Sequence, residues 1–267
     1  MQILVCVKQV PDTSQVKLDP KTNRLQRAGV PNILNPFDEH AVEEALALKD
    51  SCGATVTVIT MGPPQAKEVL KECLAKGCDH AYLISDRAFG GADTLATAYT
   101  LATAIRTLGT FDLIFCGKQA IDGDTAQVGA QIAEMLDWPQ VSGAVAFTLK
   151  GSTAQVVREH EDGYETIKVE LPVLVTTTKH LNTPRYPSLR GLIAARTAEI
   201  KTLTAADLPV EPERIGMAGS PTQVRRVYTP QGHSHGETFA DLPEQQAVQA
   251  LLAKLKERGF QRKGGAQ

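Results

Sequence analysis

Two aspartates, a lysine and two glycines crowd the front of "GKQAIDGDTAQVGAQIAEML" (117–136), between an apolar run and a stretch with helical spacing. A glycine-bearing loop at a helix start leaves backbone N–H groups free at the positive end of a dipole, which suits a phosphate or pyrophosphate. Asp124 with Gln127 three residues later has the pattern of a capping box. Asp124 is therefore expected to cap a helix whose apolar stripe is Val128, Ile132 and Leu136. Asp122 has no such structural duty. Beside Gly123 it could hydrogen-bond a ribose hydroxyl, hold a metal, or be solvated.

Other candidates for chemistry are weaker. "SDRAFGGADT" (85–94) is a second glycine-rich loop ahead of a capped helix, and "VKQVPDT" (7–13) and "MGPPQA" (61–66) also follow apolar runs. There is no G-x-x-x-x-G-K-[ST], no G-x-G-x-x-G after the first run and no H-E-x-x-H. Cys73, Cys78 and His80 lie close together but lack zinc spacing and a second ligand pair. "HSHGE" (233–237) carries a His-x-His that could chelate a transition metal or be solvated. No metal site and no catalytic residue is assigned.

These loops need a frame, and the apolar pattern supplies one. "ILVCV" (3–7), "TVTVIT" (55–60), "AYLI" (81–84) and "FDLIFC" (111–116) lack polar alternation, as strands buried on both faces should. Between them run helical stretches: one from Asn35–Pro36 to Gly53, one ending at Gly77, and one from Asp93 to Gly109. This alternation predicts an α/β fold, a doubly wound and mostly parallel sheet of the Rossmann-like kind, with ligands at the carboxyl ends of the strands. "AVAFTLK", "TAQVVREH" and "YETIKVEL" alternate with period two and predict an antiparallel meander; "PVLVTTT" (172–178) predicts a return to the main sheet. Residues 180–240 are rich in Pro, Thr, Arg and Gly, and predict an extended segment lying on a partner. A helix is expected over 241–259, followed by a disordered tail. The expected division is 1–180 for nucleotide or flavin binding, 181–240 for a recognition loop and partner-wrapping arm, and 241–267 for the helix and tail.

The 267 residues, 42% of them hydrophobic, can bury a full core. A formal charge of −2 gives no basic field, so neither nucleic acid nor an anionic membrane surface is an expected partner. No run approaches the roughly 18 apolar residues of a membrane span, so no membrane insertion is expected. The five cysteines sit largely in apolar patterns and are read as reduced core residues, implying a cytoplasmic protein.

Several blocks together resemble the beta subunit of electron-transferring flavoproteins. They are "ILVCVKQVPDT", "NPFDEHAVEEALALKD" (35–50), "VITMGPP" (58–64), "DRAFGGADTLATAYTLA" (86–102), "CGKQAIDGDTAQVGAQIAEML" (116–136) and "NTPRYPSLRGL" (182–192). The resemblance implies a heterodimer with an alpha subunit that itself holds FAD, and an adenine-nucleotide pocket in this chain holding either a second FAD or a structural AMP. Residue by residue, it implies a pocket formed by Cys6, Val7 and Lys8; by Asn35, Pro36, Phe37 and Asp38; and by Met61. It further implies the loop of Gly117, Lys118, Gln119, Ala120, Ile121 and Asp122, continuing through Gly123, Asp124, Thr125, Ala126, Gln127 and Val128. In FAD-holding members Asp93 and Thr94 also lie at this pocket.

The wording "AIDGDTAQVG", with "VKQVPDT" and "DRAFGGADT", is similar to the electron-bifurcating group; AMP-holding members more often carry an aspartate where this chain has Gly123. That resemblance implies FAD here, reduced by NADH. One electron would pass by way of the alpha-subunit FAD to an acyl-CoA dehydrogenase-like partner, the other to ferredoxin or flavodoxin. "NTPRYPSLRGL" is similar to the family's recognition loop, which implies Leu189 as the docking leucine, flanked by Arg185, Tyr186 and Arg190. Two departures are visible: this loop is closer to non-bifurcating members, and Ala130 stands where the bifurcating pattern usually has proline. The alternatives are a non-bifurcating carrier with AMP in this subunit, and a stand-alone adenine-nucleotide sensor or ATP-using enzyme.

Overall fold

The computed structural model describes residues 1–12, 17–18, 25–26, 31–225 and 236–260, with backbone only for 17–18 and 25–26. Residues 233–235 of the His-x-His stretch and the tail beyond 260 lie outside these. The chain divides into two units, 1–225 and 226–267.

The first unit is built on a nine-stranded sheet. Its strands in chain order are β1 (Gln2–Cys6), β2 (Thr55–Met61), β3 (His80–Ile84), β4 (Leu113–Gly117), β5 (Gln140–Lys150), β6 (Thr153–His160), β7 (Gly163–Glu170), β8 (Val173–Thr177) and β9 (Lys201–Leu203). Across the sheet they run β7-β6-β5-β8-β4-β1-β2-β3-β9. All pairs from β5–β8 to β3–β9 are parallel; β5, β6 and β7 form the antiparallel meander. The strands with uninterrupted apolar sequence are the central ones, and β8 does return to the sheet, buried along its whole length between β4 and β5.

Helices α1 (Pro36–Cys52), α2 (Lys67–Lys76), α3 (Thr94–Leu108) and α4 (Val128–Leu136) cover both faces. Successive side chains of a strand point to opposite faces. Ile3 and Val5 of β1 accordingly pack with Val42 and Leu46 of α1 and Leu70 of α2, whereas Leu4 and Cys6 pack with Leu101 and Ile105 of α3 and Ile132 of α4. Two cores, one on each side of the sheet, make this a doubly wound α/β fold. Three of the helix boundaries follow local rules: Pro36 sits at the start of α1, Gly53 ends it with φ 69, and the Asp93 carboxylate caps α3 through the N–H groups of Leu95 and Ala96.

Residues 180–225 carry more structure than their weak periodicity implies. Ser188 caps α5 (Leu189–Thr197) by accepting from Gly191 N, and β9 extends the sheet along β3. In the second unit α6 (Glu244–Glu257) leaves Val248, Leu251, Leu252 and Leu255 exposed. Among the described residues no helix is long and apolar enough to cross a membrane.

Candidate functional site: a crevice at the topological switch point

The chain leaves β1 towards β2 on one side, and after β3 crosses back to place β4 on the other side of β1. The carboxyl ends of β1 and β4 therefore diverge into a crevice, the place where open α/β sheets bind ligands. Lys8 follows β1 and the 118–127 loop follows β4, so the fold brings the two stretches together across more than a hundred residues of sequence. Lys8 Nζ donates to Asp122 Oδ1 at 2.7 Å and to Oδ2 at 2.8 Å. This pair spans the crevice mouth.

Beneath it lies a polar junction. Asn35 is 1% exposed and Asp38 5%. The Asp38 carboxylate accepts from Lys8 N at 2.7 Å, Asn35 Nδ2 at 2.9 Å and Gly117 N at 3.2 Å. Asn35 Nδ2 also donates to Gln119 O at 2.9 Å, and its Oδ1 accepts from Ile121 N at 3.2 Å. Asn35 thus occupies the expected N-cap position of α1 but makes no side-chain cap there. Its amide instead holds the loop after β4. Burial pushes the Asp38 carboxyl up to about 7, against the pull of the Asn35, Lys8 and Gly117 donors and the Lys8 charge.

The loop itself corrects one expectation. Asp124 does not cap a helix, because α4 begins at Val128 with Gln127 at its N-cap position and no side-chain cap. Asp124 has φ 56 and accepts from Gln119 Nε2 instead. A capping box demands extended backbone at its first residue, and the left-handed turn here denies it. Ala126 also has positive φ, 54, followed by right-handed Gln127. A left-handed residue followed by a right-handed one is the backbone pattern from which anion-binding nests are built, here at a helix start without a side-chain cap. The apolar stripe holds: Ile132 is fully buried, and Val128 and Leu136 pack partly against the same core.

Two glycines set the close approaches. A Cβ on Gly117 would fall on Asp38 Oδ1, and one on Gly129 would stand 2.7 Å from Thr176 Cγ2, so α4 lies directly on the sheet. At Gly123 an added Cβ meets nothing within 4 Å.

The remaining expected residues divide by burial. Cys6 and Val7 are buried, in the cores on opposite faces of the sheet, and Asn35 and Asp38 are buried too; Met61 and Phe37 are half-buried, and Lys118 and residues 122–127 are exposed. Thr94 Oγ1 donates to Gln127 Oε1 at 3.0 Å, joining the starts of α3 and α4. Asp93 is fully engaged: besides capping α3 it accepts from Thr222 N and Oγ1; burial pushes its carboxyl up, but the donors Ala96, Leu95 and Thr222 together hold it below the usual range. Two features escaped the sequence reading. Thr177 Oγ1 donates to Phe37 O at 3.1 Å, tying β8 to the start of α1. An open cleft of about 630 Å³ also runs from Lys118 and Ala126 past Ser142, Arg158, His160 and Thr176. The adjacent valines at 156–157 were its available signal, since alternation breaks there and the β5–β6 register shifts at Val157/Arg158.

Residues 22–208 match the family described as "Electron transfer flavoprotein domain". The chain belongs to the electron transfer flavoprotein family. It is 50% identical to "Electron transfer flavoprotein subunit beta" of Clostridium acetobutylicum over 260 residues, covering 97% of this chain and 100% of that one. It is 51% identical to "Caffeyl-CoA reductase-Etf complex subunit CarD" of Acetobacterium woodii, covering 97% and 99%, and 44% identical to "Protein FixA" of Azorhizobium caulinodans, covering 97% and 95%. The first of these relatives is named as a beta subunit and the second as a subunit of an Etf complex.

The expected recognition segment of this flavoprotein subunit has a fixed base and a free edge. Arg185 Nε donates to Glu43 Oε2 at 2.9 Å and Nη1 pairs with Asp50 at 2.8 Å, while Asn182 Nδ2 donates to His40 O and Glu44 on the same helix, α1. Arg185 is therefore a pin and Arg190 an exposed neighbour. Tyr186 is 95% exposed and Leu189 76%, and Leu192 and Ile193 are exposed beside them. Leu189 does open a helix, but that helix turns its larger apolar residues outward.

Proposed function

We propose that this chain binds FAD in the β1/β4 crevice and serves a heterodimeric electron transfer flavoprotein that takes electrons from NADH and divides them. One electron would go through the alpha-subunit FAD to an acyl-CoA dehydrogenase-type partner, the other to ferredoxin or flavodoxin. The observation that carries the reading is the start of α4, without a side-chain cap, behind the left-handed turns at Asp124 and Ala126, in a loop whose Asp122 meets Lys8 and whose Ala126 shares a cleft with Lys118. Its free N–H groups fit a pyrophosphate. The Lys8 ammonium supplies a counter-charge and Asp122 an acceptor for ribose hydroxyls, while the open space at Gly123 leaves room for a dinucleotide. Bound FAD would supply hydride acceptance and one-electron transfer; the chain's share is to hold, orient and electrostatically tune it.

Leu189 and Tyr186 would dock the dehydrogenase, apolar and aromatic side chains on a pinned base being the composition of an interface anchor. A second reading, a non-bifurcating carrier with AMP in this crevice, is favoured by "NTPRYPSL". Acid release of cofactors from the purified heterodimer separates the two. Two FAD and no AMP supports the first; one FAD with one AMP refutes it. The cytoplasmic assignment stays part of this proposal.

A further inference from the structure

Asp38 stands at the convergence of three chain segments. Its donors are Lys8 N at the exit of β1, Gly117 N at the exit of β4, and Asn35 Nδ2 ahead of α1. Asn35 carries the connection outward to Gln119 O and Ile121 N. Both walls of the crevice, and the loop that crosses it, are thereby referenced to one carboxylate. There is no slack in the arrangement: a methyl on Gly117 would meet Asp38 Oδ1, and would lie 2.8 Å from Phe37 Cβ and 2.9 Å from Asp38 N. At 5% exposure, with both oxygens occupied from within the protein, the carboxylate is out of reach of a ligand.

We propose that Asp38 is a positioning residue of the nucleotide site: acting with Asn35, it sets the separation and orientation of the Lys8 and 117–122 walls and so governs nucleotide affinity without touching the nucleotide. This rests on the crevice being the nucleotide site. The chemistry of the three donors explains why the residue is an acid. A carboxylate is acceptor-only and can take all three N–H groups, whereas an amide has one acceptor oxygen and an NH₂. In Asp38→Asn the oxygen can keep Asn35 and Gly117, but the NH₂ then faces Lys8 N–H, donor against donor. The β1 exit must move away. Lys8, the cation of the site, moves with it.

The test uses the heterodimer stripped of cofactor and titrated separately with FAD and with AMP by equilibrium dialysis, alongside thermal unfolding. The variants are Asp38→Asn, Asn35→Ala and, as a control for plain destabilisation, Leu70→Ala in the α2 core. Outer-shell partners typically contribute roughly tenfold to a hundredfold in affinity. Asp38→Asn is expected to weaken the ligand that wild type binds by about that factor, whatever its shift in unfolding temperature. Asn35→Ala, which frees the loop but leaves Lys8 and Gly117 in place, should lose less. Leu70→Ala should unfold earlier and bind normally. Asp38→Asn binding within about twofold of wild type overturns the proposal, as does a loss in Leu70→Ala that matches it. If Asp38→Asn does not fold, Asn35→Ala decides, and unchanged affinity there overturns the proposal. Wild type binding neither FAD nor AMP is a different result, which removes the nucleotide reading itself.

Discussion

The Asn35–Asp38 junction and the 182–197 segment break opposite rules. The first buries an acid and an amide under the sheet's switch point; the second holds Tyr186, Leu189, Leu192 and Ile193 in solvent. The junction compensates internally, since its side-chain oxygens and Asn35 Nδ2 all find protein partners. Segment 182–197 is tied to α1 through Asn182 and Arg185 and packs α5 on α2, with Gly191 against Ala75 O and Ala195 buried, yet leaves its apolar edge exposed. A self-satisfied polar cluster fixes geometry, whereas an unsatisfied apolar edge is available for association. Substitutions in the junction should therefore alter folding and ligand affinity, and those at the edge should alter docking alone.

The largest effect expected concerns Asp38 and pH. Its folded value, about 7, lies above the ordinary 3.8, so between those values the folded chain holds a proton that the unfolded chain has released. The contribution of this group is thus favourable in acid and is lost as pH rises from about 4 through 7, by on the order of 4 kcal/mol. Asp38→Asn cannot titrate. Its stability relative to wild type, measured by denaturant unfolding, should rise over that window; a flat difference would mean that burial does not penalise the charge. Next, Gly117→Ala should cost about 3 kcal/mol and weaken nucleotide binding, because the added methyl collides with the carboxylate. Retention of both properties would show that the junction has slack.

At the edge, Leu189→Ala should leave unfolding within about 0.5 kcal/mol of wild type. Its effect belongs in the complex, where docking to the dehydrogenase partner should weaken by about 2 kcal/mol, as for a central anchor. Surface plasmon resonance of the heterodimer against that partner reads this directly, and equal affinity would disconnect the exposed edge from docking. The smallest effect is expected for Asp122→Asn. The Lys8–Asp122 pair is part-exposed, and such pairs contribute about 0–1 kcal/mol. Releasing Lys8 should strengthen inorganic pyrophosphate binding by a few fold at low salt, and the gain should shrink as salt screens it. Calorimetric titration at two ionic strengths checks this.

Much of the frame was legible locally. Pro36, Gly53 and Asp93 mark helix ends through their own backbone preferences, and unbroken apolar runs mark strands covered on both faces. Asp124 shows where that reading failed. Its spacing to Gln127 matched a cap, yet the chain uses left-handed turns at 124 and 126 and starts the helix later. Spacing records which residues could reach each other, not the sign of φ between them. Asn35 shows a subtler failure: its position was right, but its side chain serves a loop that lies far away in sequence.

The sequence by itself determined the alternation of strands and helices, the glycine loops at strand ends and the family of the chain, because each is written in short-range pattern or in residues held in order. Tertiary structure alone decided that Lys8 meets Asp122, that Asp38 receives both Lys8 N and Gly117 N, and that Arg185 spends its charge on Glu43 and Asp50. Those partners are joined only when β4 is laid beside β1 and residues 182–185 are laid on α1. A hydrogen bond depends on angstroms between atoms, and no local propensity encodes that distance.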